Sequence, residues 1–191
     1  MSISDQDLFS TIASMSARDF ARMRVENQKA LKPGMKIPSI SPHVDSLFPG
    51  KLVVLLTVPG IWSAKLEESG LVDILKQEKD FVNAAVENII VVAVNTLAVV
   101  NKWAELYENK KLEVFCIADP GADFVTKLGA GKVDKEYQAT AAKKVQLIVH
   151  NGIVQSVHTT GNVQELLQAV QKAHQTYSGA QNGLKKEEKK S

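Results

Sequence analysis

Few residues in this chain can do chemistry, and their placement matters more than their number. There is one cysteine, Cys116, so no intramolecular disulfide forms, and a reducing compartment suits the chain better than a secreted one. The histidines His43, His150, His158 and His174 are scattered without ligand spacing, and no Cys-x-x-Cys pair exists. A metal site is therefore not expected, and no cofactor is implied. Gly129-Ala130-Gly131 is too short to make a phosphate loop, and there is no nucleophile-elbow serine. The stretch with chemical potential is Lys51 to Leu71, KLVVLLTVPGIWSAKLEESGL. It reads as a strand over Leu52 to Val58, a turn at Pro59-Gly60 and a helix over Ala64 to Leu75 with Ser63 at its N-cap. Unpaired N–H groups and the helix dipole at such a junction favour a phosphate, a carboxylate or a thiolate.

The elements that must position this junction follow from periodicity. Leu52 to Val58 is apolar on both parities and too short to cross a membrane, as expected of a strand covered on both faces. Ile89 to Val94 and Leu112 to Ile117 read the same way, and between them Leu97 to Tyr107 has helical spacing at Val99, Val100, Trp103 and Leu106. Alternation of this kind predicts an α/β fold with parallel strands and helices on the sheet faces. Gly129 to Lys144 reads as a loop. Val145 to His150 and Ile153 to Val157 flank Asn151-Gly152, the dipeptide that supplies positive φ to a two-residue hairpin turn. A final helix buries Val163, Leu166, Leu167 and Val170.

The flanks are different in character. Over residues 1–30, Leu8, Phe9, Ile12, Met15, Phe20 and Met23 fall near helical spacing, with Ser4 or Asp5 as the cap. The acids Asp5, Asp7, Asp19 and Glu26 argue against a transit peptide, so a structural or docking helix and a cytoplasmic location are expected, with a mitochondrial one as the alternative. Lys32 to Pro49 reads as loop because Pro33, Pro38, Pro42 and Pro49 interrupt regular structure. The tail 178–191 is charged and expected to be disordered, which leaves residues 31–177 as the folded domain. A chain of 191 residues with 45% hydrophobic content can bury a full core, and a net charge of +2 gives no broad footprint for nucleic acid.

Val58-Pro59-Gly60 with Trp62 and Ser63 resembles the Val-Pro-Gly-Ala-Phe-Thr-Pro-x-Cys motif of the peroxiredoxins, in the type-five and plant type-II-like redoxin subgroup. Four further landmarks resemble that family in order: Ile37-Pro38, Leu47-Phe48-Pro49-Gly50-Lys51, Val94-Asn95 with Trp103, and Ala118-Asp119-Pro120 with Phe124 and Leu128-Gly129. The resemblance covers Leu31 to about His174 and implies a thioredoxin-like fold, a central mixed sheet flanked by helices, here with an additional N-terminal helix. Between the first two landmarks the chain is short, as if a β-hairpin were missing.

By the same resemblance, Leu66 falls where the family has its peroxidatic cysteine, Ala64 replaces a proline, and Lys144 stands for the arginine that opens the hairpin. A leucine cannot attack a peroxide or be oxidised to a sulfenic acid, and a lysine lacks the planar fork of arginine. The expectation is a vestigial pocket of Pro59, Ser63, Leu66 and Lys144 with no catalytic residue, in a protein that works by binding or as a subunit. Residual thiol-dependent peroxidase activity through Cys116 is the alternative. Read on their own, Leu66 is a core residue, Ser63 a cap, Lys144 a solvated charge and Cys116 a structural thiol whose apolar neighbours raise its pKa. The family's dimer surface would map to Trp62, Leu97, Val99 and Phe124, implying a homodimer, with the N-terminal helix available to a protein partner.

Overall fold

The computed structural model describes residues 15–60, 70–107, 111–135 and 139–187, with side chains to residue 178. Strands β1 (Leu52–Val58), β2 (Val86–Ala93), β3 (Glu113–Ala118), β6 (Val145–His150) and β7 (Ile153–His158) form one sheet in the order β3-β2-β1-β6-β7. β1 pairs in parallel with β2 and β2 with β3, whereas β1–β6 and β6–β7 are antiparallel. This is the expected mixed sheet. Every residue of β1 is buried because the strand has a core on each side. Leu52, Val54, Leu56 and Val58 face one core, and Val53 and Leu55 face the other. The alternation of side chains across a strand turns a continuous apolar run into two packed layers.

Among the described residues there are seven α-helices: α1 (Ala17–Glu26), α2 (Pro42–Asp45), α3 (Leu71–Lys76), α4 (Glu78–Asn83), α5 (Leu97–Ala104), α6 (Asp123–Leu128) and α7 (Val163–Glu187). The first core takes Leu71, Phe81, Trp103 and Val170 from α3, α4, α5 and α7. The second takes Phe124, Val125 and Leu128 from α6, with Val44 and Phe48 from α2 and the chain after it. α6 starts where the buried Asp119 carboxylate accepts the N–H groups of Asp123, Phe124 and Val125 at 2.9, 3.3 and 3.0 Å. That one side chain satisfies three otherwise orphaned donors.

Three expectations need correction. Lys32 to Pro49 is not all loop: Ser41 caps α2, with Pro42 in the first turn where its missing N–H is harmless. No strand occurs between residues 38 and 51. Gly129 to Lys144 contains a second two-stranded sheet, β4 (Gly131–Asp134) against β5 (Ala139–Ala142), which alternation alone hid because both strands are only four residues long and β5 is mostly alanine. Finally, α7 does not stop near Tyr177 but runs to Glu187, so disorder does not begin at 178. The Ala, Leu, Lys and Glu of this stretch are good helix formers, and they outweigh two glycines.

The N-terminal helix is part of the body. Of the sequence read as helical there, Ser4, Asp5, Leu8, Phe9 and Ile12 lie outside the described residues, and the described helix begins at the Ser16 cap. α1 packs on β4 and β5 and buries Ala21. Arg24 donates to the carbonyls of Gly121 and Ala122 at 2.7 and 3.1 Å and pairs with Asp123 at 2.7 Å. Gln28 exchanges both amide hydrogen bonds with Gly131, as a strand neighbour would. Gly129 closes the seam: at φ 90°, a Cβ there would collide with the Lys29 carbonyl oxygen.

Candidate functional site

The junction singled out in the sequence lies at the carboxyl ends of β1 and β2, where open α/β sheets place their ligands. Ser63, Trp62 and Leu66 lie outside the described residues, so the site is built here from what surrounds them. Pro59 and Gly60 follow the last residue of β1. A Cβ on Gly60 would sit 3.6 Å from the Asn95 side-chain oxygen, which brings the β2–α5 loop to the same edge. Gly70, left-handed at φ 80°, returns the chain into α3. It packs so closely on Gln146 and the Gly161 carbonyl that any side chain there would collide with the Gln146 amide.

Lys144 reaches this edge through the pairing of β1 with β6. Val145 opposes Thr57, so Lys144 falls one step further, beside the end of β1. The Thr57 hydroxyl donates to the Lys143 carbonyl at 2.7 Å and fixes the approach. Lys144 is half-buried, so it is not a fully solvated charge. With Gln146, His158 and Thr160 it lines a cleft of about 210 Å³. The structure thus joins Pro59 and Lys144 at one end of the sheet.

His158 was missed by sequence reasoning. A regular two-residue hairpin would set Val157 opposite Gln146. Instead the register shifts between Ile148 and Val149, and His158 takes that place. The shift leaves Gln155 as the extra residue of a β-bulge. The His158 ring sits 2.9 Å from the Ser156 hydroxyl. Burial pushes its pKa down, with Glu165 opposing, so at neutral pH a largely uncharged imidazole faces the same small cleft as the Lys144 ammonium. That pairing suits a small anion or a polar group.

Cys116 is elsewhere. It lies in β3, at the sheet edge, with Val114 and Ala118 on its face, all packed against the first core. Burial pushes the thiol up to about 12, the direction expected of a sulfur among hydrocarbons. Of the residues expected at a dimer surface, Leu97 is 62% exposed and Val99 is half-buried, but Phe124 is 5% exposed and packed inside the second core. Among the described residues, no group of three or more histidines, cysteines and acids could hold a metal ion, and no helix is long and apolar enough to cross a membrane.

A family model described as Redoxin matches residues 32–176. Among solved structures, reduced Prx3 from Vibrio vulnificus is 25% identical, with a TM-score of 0.60 over 72% of this chain and 97% of that one. The same protein in complex with H2O2 gives 24% identity and a TM-score of 0.62, over 74% and 97%. Peroxiredoxin 5 from Alvinella pompejana is 18% identical, with a TM-score of 0.61 over 74% and 99%, a likeness of fold. Among curated protein sequences, none matches this chain.

Proposed function

The chain belongs to the redoxin family, and from that premise we propose that it is a peroxiredoxin-like protein without peroxidase chemistry, acting by binding other proteins or a second copy of itself. The observation that carries this reading is the state of its only thiol. A thiol peroxidase needs a sulfur held as thiolate beside a cation, at a place a peroxide can reach. Cys116, packed on the core with its pKa pushed up to about 12, holds only a trace of thiolate at neutral pH. The position that would carry the family's reactive sulfur is Leu66 in the sequence. Lys144 keeps a positive charge at the pocket without the fork that donates two parallel hydrogen bonds.

Binding draws support from the surface. Leu97 at the start of α5 and Leu106 in the 3-10 turn that follows it, Glu105–Tyr107, expose apolar side chains, and the loop at Asn95 links α5 to the edge that carries Gly60. The described part of the N-terminal helix is less suited to hold a partner, because Arg24 and Gln28 spend their donors on the chain's own backbone.

The test is hydrogen peroxide consumption with dithiothreitol as reductant, comparing wild type and Cys116→Ser. Equal rates, no faster than dithiothreitol alone, are expected. Turnover that disappears in Cys116→Ser would establish the alternative, a residual thiol peroxidase. Sedimentation of wild type against Leu97→Glu tests the self-association arm, with dissociation expected in the variant.

A further inference from the structure

A second cleft among the described residues is larger than the one beside Lys144. It has a volume of about 970 Å³ and lies where α1, the segment from Met35 to Pro49 and the β6–β7 turn meet. Asn151 and Gly152 of that turn line it, and they follow His150, which pairs with Leu52 at the start of β1. The vestigial pocket lies beyond the other end of β1, roughly 20 Å away along the strand.

The floor of the cleft is apolar and held rigidly. Met35, Ile37 and Phe48 contribute hydrocarbon. Residues 34–37 are bonded to the hairpin through Gly34 N–H to the Val154 carbonyl, Val154 N–H to the Met35 carbonyl and Ile37 N–H to the Gly152 carbonyl, each at 2.8 Å. The rim carries Lys29, Lys36 and Lys127, all exposed, and none of them forms an ion pair among the described residues. Arg24 also lines the cleft but is committed to Asp123. The single carboxylate on the lining, Asp45, accepts from the Ser39 hydroxyl at 2.5 Å and from the Ile40 N–H at 2.9 Å, and these bonds, with a smaller contribution from the Lys36 charge, hold it ionised. A hydrocarbon floor under three lysines, with one acid bonded into its own loop and offsetting part of the Lys36 charge, keeps a positive excess and has a definite complement.

We propose that this cleft binds an anionic amphiphile, a carboxylate or phosphate monoester on an acyl or aryl body, with the head among Lys29, Lys36 and Lys127 and the body on Met35, Ile37 and Phe48. The volume is at the upper end of the range that buries a small organic ligand. Three lysines against one carboxylate leave the lining with an excess of positive charge, which selects the sign of the head group. The inference is independent of the fate of the thiol, since no residue of the vestigial pocket takes part.

The test is calorimetric titration of the full chain with sodium decanoate below its micellar range, with decyl phosphate and decyltrimethylammonium as comparators. Saturable one-site binding is expected for the two anions, with at least roughly tenfold weaker binding of the cation. The exposed double substitution Lys36→Gln with Lys127→Gln should weaken decanoate about fivefold, the sum of two surface charge contacts. Ser39→Trp, placed on the exposed rim, should block the cleft while leaving the circular dichroism spectrum unchanged. A preference between decanoate and decyl phosphate identifies the head group. Equal binding of anion and cation, affinity unchanged in the charge variant, or no saturable binding would each overturn the proposal.

Discussion

Cys116 and Gln146 lie in one transverse row of the sheet, separated by Val91 and Leu56. With adjacent strands about 4.8 Å apart, the three steps put the thiol roughly 14 Å from a residue that lines the small cleft beside Lys144. Hydrocarbon fills the interval. The chain's one cysteine and the small cleft beside Lys144 therefore cannot act on the same small substrate without the sheet coming apart.

Alkylation should report this directly. With the thiol pushed up to about 12, labelling of Cys116 by iodoacetamide at pH 7 should be at least about tenfold slower in the folded protein than in urea. The same shift sets a stability window. Between 9.0, the ordinary value, and about 12 the unfolded chain releases the thiol proton while the folded one keeps it. Stability contributed by burying the neutral thiol is thus present below pH 9.0 and lost as pH rises toward 12. Cys116→Ser should flatten that part of the urea-midpoint profile. Equal labelling rates in folded and unfolded protein would contradict the packing described.

Asp119 caps the N–H groups at the start of α6. Asp119→Ala leaves three N–H groups of that turn without their acceptor and should cost about 2–3 kcal/mol in urea unfolding. Asp119→Asn, which keeps one acceptor oxygen, should lose less.

Gly129 controls the seating of α1. Gly129→Ala combines a left-handed backbone with a collision at the Lys29 carbonyl, and a loss of about 3 kcal/mol is expected. Limited proteolysis should then cut between residues 16 and 30 before it cuts the sheet. If the cleavage pattern is unchanged, α1 is not held by this seam.

Two histidines tie stability to mild acid. His150 stacks on Tyr177 at 3.6 Å between ring centroids, and burial pushes the pKa of both His150 and His158 below 6.5. Each is favoured neutral in the folded state, so its contribution is fully present above pH 6.5 and is lost as pH falls through the depressed value. The urea midpoint should drop between pH 7.5 and pH 5.5, and by less in His150→Gln. An unchanged difference between wild type and variant would remove His150 from the account.

Restoring the reactive sulfur tests whether the pocket is a remnant. Leu66→Cys combined with Lys144→Arg should gain dithiothreitol-dependent peroxide consumption over wild type, and Leu66→Cys alone should gain less, because the lysine cannot donate two parallel hydrogen bonds. No gain in the double variant would mean that the scaffold around Pro59 no longer accepts a peroxide.

Some of this was readable from residue order alone. The doubly apolar β1, the Asn151-Gly152 turn with both φ values positive at 51° and 74°, the alternation of strands and helices and the identity of the only thiol are local facts, set by side-chain period, turn chemistry and composition. What needed the folded chain was set by contacts distant in sequence. The bulge at Gln155 brings His158 rather than Val157 opposite Gln146. Lys144 comes to the end of the sheet that carries Pro59 through the pairing of strands 86 residues apart along the chain, as the Thr57–Lys143 bond records. α1 lies on the body because Arg24 and Gln28 find backbone partners about a hundred positions downstream. Periodicity reports which face of an element is buried. It carries no information on which distant backbone group a side chain will satisfy, and that choice built both the small cleft and the large one.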